Sequence, residues 1–368
     1  MTVRLTFQEA MSLLSLPSRS EDDVKGMRRF MSVRAAWLPG SDLKASEEVS
    51  VVVKNSIVNR NAFGGHVYCQ AGMAAAQAMR ESSYIQRGDL SQYGIHTMHG
   101  YWSEIGSTDR PFVYEVTPLS VSPLFINLLV TARQPLSPST TGSGDYYTPA
   151  DIEVSMGKIC FSSLVSFRPP EKTYYKHQEP SVQSRFATIL SSRSPMEWIP
   201  APPLDIDFYT QNTPRSLVGS FPALEMRKVD MRSFNNGRPL HERRELILYR
   251  LLAPLPPDEP AAHVMVHAYE ADRNGILMVV NHIGWGHDFG RVASLSNSIV
   301  VHTNPADAIM QNGGWWVQEV LIGRSDAGRG MLHSKIWDPK GQHVATCYQD
   351  GILRNKGARR QLTAVQKL

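Results

Sequence analysis

Cysteine is scarce in this 368-residue chain. Cys69, Cys160 and Cys347 lie far apart, with no CxxC spacing. That excludes a disulfide framework and a cysteine-based zinc site, and leaves the three as small buried hydrophobes in a reducing compartment. No run of about 18 apolar residues occurs, so no membrane-spanning helix is expected. The opening MTVRLTFQEAMSLLSL is interrupted by Glu9 and lacks the apolar core of a signal peptide. Charge of one sign is lacking too. The 38 Lys+Arg against 34 Asp+Glu give a net charge of +4, too little over this length for a nucleic-acid footprint. The pI near 8.9 still leaves small anions as ligands. Neither GxGxxG, GxxxxGK(S/T) nor GxSxG occurs, which removes the usual dinucleotide, phosphate-loop and α/β-hydrolase readings.

What remains is an ordinary globular composition, 42% hydrophobic and 20% charged, long enough for two or three domains. Residues 134–150, rich in Pro, Ser, Thr and Gly, read as a long surface loop between β-like runs. Residues 168–216 are Pro-rich without periodicity and mark the boundary between halves. The organisation expected is a first domain over 1–175, a linker over 176–215, a second domain over 216–358 and a basic tail over 359–368.

Each half repeats one order of elements. In the first, the strand candidate VSVVVKNS (49–56) precedes Gly64-Gly65 and the Ala/Met-rich helix segment HVYCQAGMAAAQAMRES. The β-rich runs GIHTMHGYWSEIG, PFVYEVTPLSVSPLFINLLVTARQ and EVSMGKICFSSLVSF follow. In the second, ALEMRKVDM and RELILYRLL precede a helix from about Ala261. Four strands follow, RVASLSNSIVVHT, GWWVQEVLIGRS, GRGMLHSKIWDP and QHVATCYQDGILR. A helix-then-hairpins unit used twice is an α+β duplication in which a long sheet wraps one helix per half.

Three constellations carry possible chemistry. His263, His267 and Glu270 share a helix face at i, i+4 and i+7, with His282, His287 and Asp288 further on. The HExxH glutamate is missing, however, and GWGHD reads as a turn, so no metal is expected. Gly64-Gly65 before a helix could bring helix amides close to an anion or acyl group, or could be only a tight turn. Asp272 follows the apolar Val264–Tyr269 segment, Ser294 sits in an alternating strand, and Gln349 lies in the last strand. Taken singly each reads as structural, and composition alone does not bring them together.

A resemblance does. YEADRNGIL, VASLSNSIVVH and GRGMLHSKIWDPKGQHVATCYQDGILR are similar to the helix, strand and closing hairpin of the acyl-CoA thioesterase II family. LLAPLPPDEPAAH resembles its approach to the second central helix. In the first half NAFGGHVYCQA resembles its F-G-G-Q-x-x-x-Q-A, MHGYWSEIG its H-S-Y-F-L-R-x-G, and SSLVSF a strand ending A-S-F. The matches run in order from about Asn61 to Arg354.

The resemblance implies a double-hotdog fold, two tandem hotdog domains each with an antiparallel sheet around a central helix. It implies hydrolysis of an acyl thioester, with the family's aspartate on Asp272, its threonine on Ser294 and its glutamine on Gln349. The three hold a water whose proton the carboxylate accepts, and oxyanion donors are expected from amides at the start of the second helix. Gly64, Gly65, His66, Ser296 and Asn297 are the expected substrate contacts. No cofactor is implied.

Several positions depart from the family pattern: His66 replaces its Gln, Glu104 its Arg, Ser296-Asn297 its Asp-His, and Ser122–Leu128 lacks its Arg. A specialised biosynthetic thioester therefore stands beside acyl-CoA as the substrate class. Two other readings keep the fold: a dehydration, lyase or cyclisation step on a polyketide-like compound, and a non-catalytic acyl-binding protein. Val264, Val266, Ile276, Leu277 and Met278 are candidate tunnel lining or core. Exposed sheet edges suggest a dimer or larger homo-oligomer. The terminal Gln366-Lys367-Leu368 is similar to the SKL address with Gln for Ser, so a cytoplasmic or peroxisomal location is expected.

Overall fold

The computed structural model describes residues 4–18, 26–39, 58–81, 90–140, 146–202, 221–273, 275–285, 289–310 and 313–355. The first half comprises β1 (Leu13–Leu16), β2 (Arg28–Ser32), helix α1 (Gly64–Glu81), β3 (Gly94–Trp102), β4 (Val113–Val121), β5 (Ile126–Pro135) and β6 (Met156–Arg168). The second opens with β7 (Ile199–Pro200), β8 (Leu224–Lys228) and β9 (Glu245–Leu251), followed by helices α2 (Pro260–Asp272) and α3 (Gly275–His282). It closes with β10 (Phe289–Val301), β11 (Trp316–Asp326), β12 (Arg329–Trp337) and β13 (His343–Asn355). The expected strand at 49–56 and the C-terminal tripeptide lie outside the described residues.

Alternating burial along the strands, as in β5 and β12, turns one face of each toward the helices. The strands make one antiparallel sheet in the order β1-β2-β4-β5-β6-β3-β10-β13-β12-β11-β9-β8-β7. The halves join at β3 and β10, where Met98 stands opposite Ile299. Outward from that seam the order β3, β6, β5, β4, β2 is mirrored by β10, β13, β12, β11, β9. In each half the outer strand of this set leads into the helix, and the helix returns to the seam. This is the duplicated α+β architecture expected, one hotdog unit per half.

Small residues let the two central helices pack closely and antiparallel. A Cβ on Gly72 would lie 2.2 Å from Met265 Sδ, and the Cys69 thiol donates to the Met265 carbonyl at 3.1 Å. Ala71, Ala74, Ala75, Ala76 and Ala78 fill α1 with good helix formers that add little bulk. Pro260 opens α2 where no amide hydrogen is needed. At the other end Arg273 turns extended and stops the helix directly after Asp272.

Residues 182–198, in the expected linker, dock on the sheet's outer face. Val182, Phe186 and Trp198 pack with Leu246, Leu248, Val317 and Trp337. Arg185 clamps the buried carboxylate of Glu319, with Nη1 2.7 Å from Oε1. Among the described residues no helix is long and apolar enough to cross a membrane.

Candidate active site

The antiparallel helix packing brings the last residue of α2 to the first turn of α1. Asp272 is buried there, with Oδ2 against the Gly64-Gly65 end of α1. Only glycine fits at 65: a Cβ would stand 2.9 Å from Oδ2 and 2.8 Å from the Phe63 ring. The Gly65 amide donates to the carboxylate. A negative charge at a helix N-terminus is favourable, and it offsets the unfavourable position of Asp272 at the C-terminus of its own helix.

Oδ1 faces the sheet. It accepts from Asn297 Nδ2 at 2.8 Å and from Gln349 Nε2. Gln349 Nε2 also donates to Ser294 Oγ at 2.8 Å. Among the described residues Gln349 Oε1 has no partner, and a Cβ on Gly275 would lie 2.1 Å from it, so a larger residue at the start of α3 would displace that amide.

Ser294 and Asn297 are three apart on β10, and a regular strand would send them to opposite faces. A β-bulge resolves this. Ser294 pairs with Gly351 and Ser296 with Asp350, so Leu295 is the extra residue. Beyond it the alternation resumes with Asn297 inward, opposite Gln349.

Burial raises the Asp272 pKa above its ordinary 3.8. Hydrogen bonds from Asn297, the Gly65 amide, Ser294 and Gln349 pull it part of the way back. Desolvation makes a carboxylate more basic, while the donors fix its orientation. Asp272, Asn297, Gln349, Ser334, Cys347 and Tyr68 line a small cavity beside Oδ1. The acid, hydroxyl and amide expected from the sequence therefore converge, one from α2 and one each from β10 and β13.

Some expected contacts need correction. Ser296 does not join the site, because the alternation beyond the bulge turns it to the outer face opposite Asp350. The start of α2 is not near the carboxylate, since Pro260 lies at the far end of that helix. The amides beside Asp272 belong to α1. Sequence reasoning also missed Gly275, whose signal was a glycine just past the aspartate in YEADRNGIL, and Trp102, whose ring lies 3.2 Å from the Cβ position of Gly64. His66 is buried, and its Nδ1 accepts from the Trp37 amide at 3.4 Å.

The helix-face histidines have structural work. His267 contacts the Tyr249 hydroxyl at 2.7 Å and the Ala308 carbonyl at 3.1 Å. His263 takes the Met310 amide at 3.1 Å and lies 3.1 Å from the Pro256 carbonyl. Glu270 on the same face is buried, and neither of its carboxyl oxygens has a partner among the described residues. Val264, Val266, Ile276 and Met278 are core, and Leu277 packs on the smaller cluster around α3. His287 and Asp288 lie outside the described residues. Among the described residues no group of three or more His, Cys, Asp or Glu could hold a metal ion.

Residues 203–353 match the family model described as the acyl-CoA thioesterase C-terminal domain. Over that segment the chain is similar to the acyl-CoA thioesterases. It is 21% identical to human acyl-coenzyme A thioesterase 8 over 80% of this chain and 81% of that protein. It is 24% identical to acyl-CoA thioesterase 2 of Haemophilus influenzae over 80% of this chain and 88% of that one. An acyl-CoA thioesterase II from Mycobacterium marinum has the same fold, with a TM-score of 0.58 and 19% identity over 95% of this chain and 98% of its own. The proteins it matches are named as acyl-CoA thioesterases, and the Asp272 carboxylate lies where the two hotdog units of this chain meet.

Proposed function

We propose that the protein hydrolyses an acyl thioester, an acyl-CoA or a related biosynthetic thioester, with a water activated by Asp272. The observation that carries this reading is the convergence of the Asp272 carboxylate, the Ser294 hydroxyl and the Gln349 amide from three separate elements. Ser294 and Gln349 orient the water, each through a group that can donate or accept. Asp272 takes one proton as the water oxygen bonds to the thioester carbonyl carbon. The carbonyl oxygen gains the electron pair and faces the positive end of α1 at Gly64-Gly65. Collapse of this intermediate breaks the carbon–sulfur bond, and the proton held by Asp272 passes to the departing sulfur. The products are a free acid and a thiol.

General-base assistance of this kind contributes roughly 10²–10⁴-fold. Release of free thiol from a panel of acyl-CoAs, wild type against Asp272→Asn, tests the reading. A loss in that range is expected, and equal rates for the two proteins overturn it.

A further inference from the structure

Two strands of the second half carry a polar side chain on an otherwise apolar inward face. Gln318 stands between Trp316 and Val320 on β11, and Ser334 between Leu332 and Ile336 on β12. All four neighbours are core, and Gln318 and Ser334 are themselves 1% and 3% exposed. Burying two polar groups there is costly unless they are bonded. They bond to each other: Gln318 Nε2 donates to Ser334 Oγ at 3.0 Å. The same amide reaches, at 3.5 Å, the carbonyl of Ala271, which directly precedes Asp272. Ser334 and Ala271 both line the small cavity that Asp272, Asn297 and Gln349 share. That cavity leaves about 10 Å³ for the centre of a water-sized sphere, which is room for one water.

Hydrogen-bonding capacity around the cavity is unevenly spent. Gln349 gives away both hydrogens of Nε2, one to Asp272 and one to Ser294, and offers the cavity only an acceptor, Oε1. Ser294 accepts from Gln349 and bonds Asp272. A hydroxyl bonds a carboxylate only by donating, so its hydrogen is spent too. A water beside the carboxylate therefore finds acceptors for both of its hydrogens, in Asp272 and Gln349 Oε1. One of its lone pairs must be free to attack, and the other needs a donor. Ser334 supplies one: Gln318 occupies a lone pair of its oxygen, and its hydrogen has no acceptor among the described residues. The second hydrogen of Asn297 Nδ2 is the competing donor.

We propose that the cavity binds the water that hydrolysis consumes and that Ser334 Oγ–H donates to it, with Gln318 as the positioning residue that aims this hydroxyl. This rests on the hydrolase reading of the same site and adds to it a fourth holding group, from β12. The water is then fixed by Asp272, Gln349 and Ser334, which leaves one lone pair for the thioester carbon.

Two measurements test this. In a high-resolution crystal structure of the whole protein, a water should lie within about 3.2 Å of Ser334 Oγ and Gln349 Oε1, and Ser334→Ala should lose or displace it. In thiol-release assays Ser334→Ala should lower kcat roughly tenfold with little change in KM, since the water takes no part in substrate binding. Ser334→Thr keeps the hydroxyl and should restore most of that rate. Gln318→Leu should also lower kcat. The double variant should be no slower than Ser334→Ala alone, because Gln318 acts only through Ser334. Two merely structural defects would multiply instead, and that result overturns the role of Gln318.

Wild-type kcat in Ser334→Ala, with Asp272→Asn still impaired, overturns the proposal, leaves the hydrolase reading standing and passes the donor's part to Asn297. A wild-type crystal without that water overturns it as well. An ordered water lost in Ser334→Ala, with no hydrolysis of any acyl-CoA, would sink the hydrolase reading and keep the water site.

Discussion

The carboxylate of Asp272 closes one helix and lies against the α-carbon of Gly65, which opens the other, with no room for a methyl group between them. A carboxylate so placed is buried, yet held by donors on both sides. Most of what the protein should do under perturbation follows from that contact.

Gly65→Ala places a Cβ 2.9 Å from Oδ2 and 2.8 Å from Phe63. Relief requires shifting either the reacting group or an aromatic ring of the core, at a cost of about 1–3 kcal/mol. Chemical denaturation should show that loss, together with a fall in kcat larger than a stability change explains. Full activity in a folded Gly65→Ala protein would show that the contact is dispensable.

The pH dependence of kcat/KM follows from the raised pKa of Asp272. The base works only when deprotonated, so activity should fall on acidification with a midpoint above the ordinary 3.8. Asn297 donates to this carboxylate and lowers its pKa, so Asn297→Ala should move the midpoint upward. A downward shift would contradict the assignment.

Glu270 is buried with neither oxygen bonded among the described residues, and burial pushes its pKa well above the usual 4.5. The folded state therefore holds this proton more tightly than the unfolded chain does. Stability is fully present below about pH 4.5 and declines as the pH rises beyond it. Glu270→Gln removes that decline. Its Tm should exceed that of wild type at about pH 8, with the gap shrinking toward pH 5. A gap independent of pH would argue against a titrating carboxyl.

Arg185 ties the docked 182–198 segment to Glu319, whose side chain is 1% exposed. Arg185→Met leaves that carboxylate with Arg244, 3.4 Å away, the Trp337 indole at 3.2 Å and the nearby charge of Lys335. The expected destabilisation is about 3 kcal/mol, at the low end for a broken buried pair. Changing both partners to Met should cost less than Arg185→Met alone, as urea melts of the three proteins would show.

Much of this architecture is legible in the sequence because it rests on local pattern. The Ala-rich run gives α1 within two residues of its start, and the β-rich stretches give β6 and β10 to β13 nearly to their ends, while β4 and β5 read as one run and β3 ends at Trp102, before its run does. β1 and β2 are four and five residues long with no clear alternation, so they leave no signal. The site is harder to read. That Ser294 and Asn297 share a face depends on the bulge at Leu295, and the same bulge turns Ser296, which the family resemblance places among the substrate contacts, to the outer face. That Asp272 meets α1 rather than the start of its own helix depends on antiparallel packing between halves. The glycine before Ile276 was visible, but its purpose required Gln349 to be in place.

Duplication has also broken the equivalence of the two units. The packing sets Gly65 beside Asp272 and Gly72 beside Met265, and farther along the two helices Ala76 and Ala261 are each buried. A symmetric dimer would hold two identical centres, whereas here a buried carboxylate closes one end of the helix pair. Each half supplies what the other lacks, amides from the first and acid from the second.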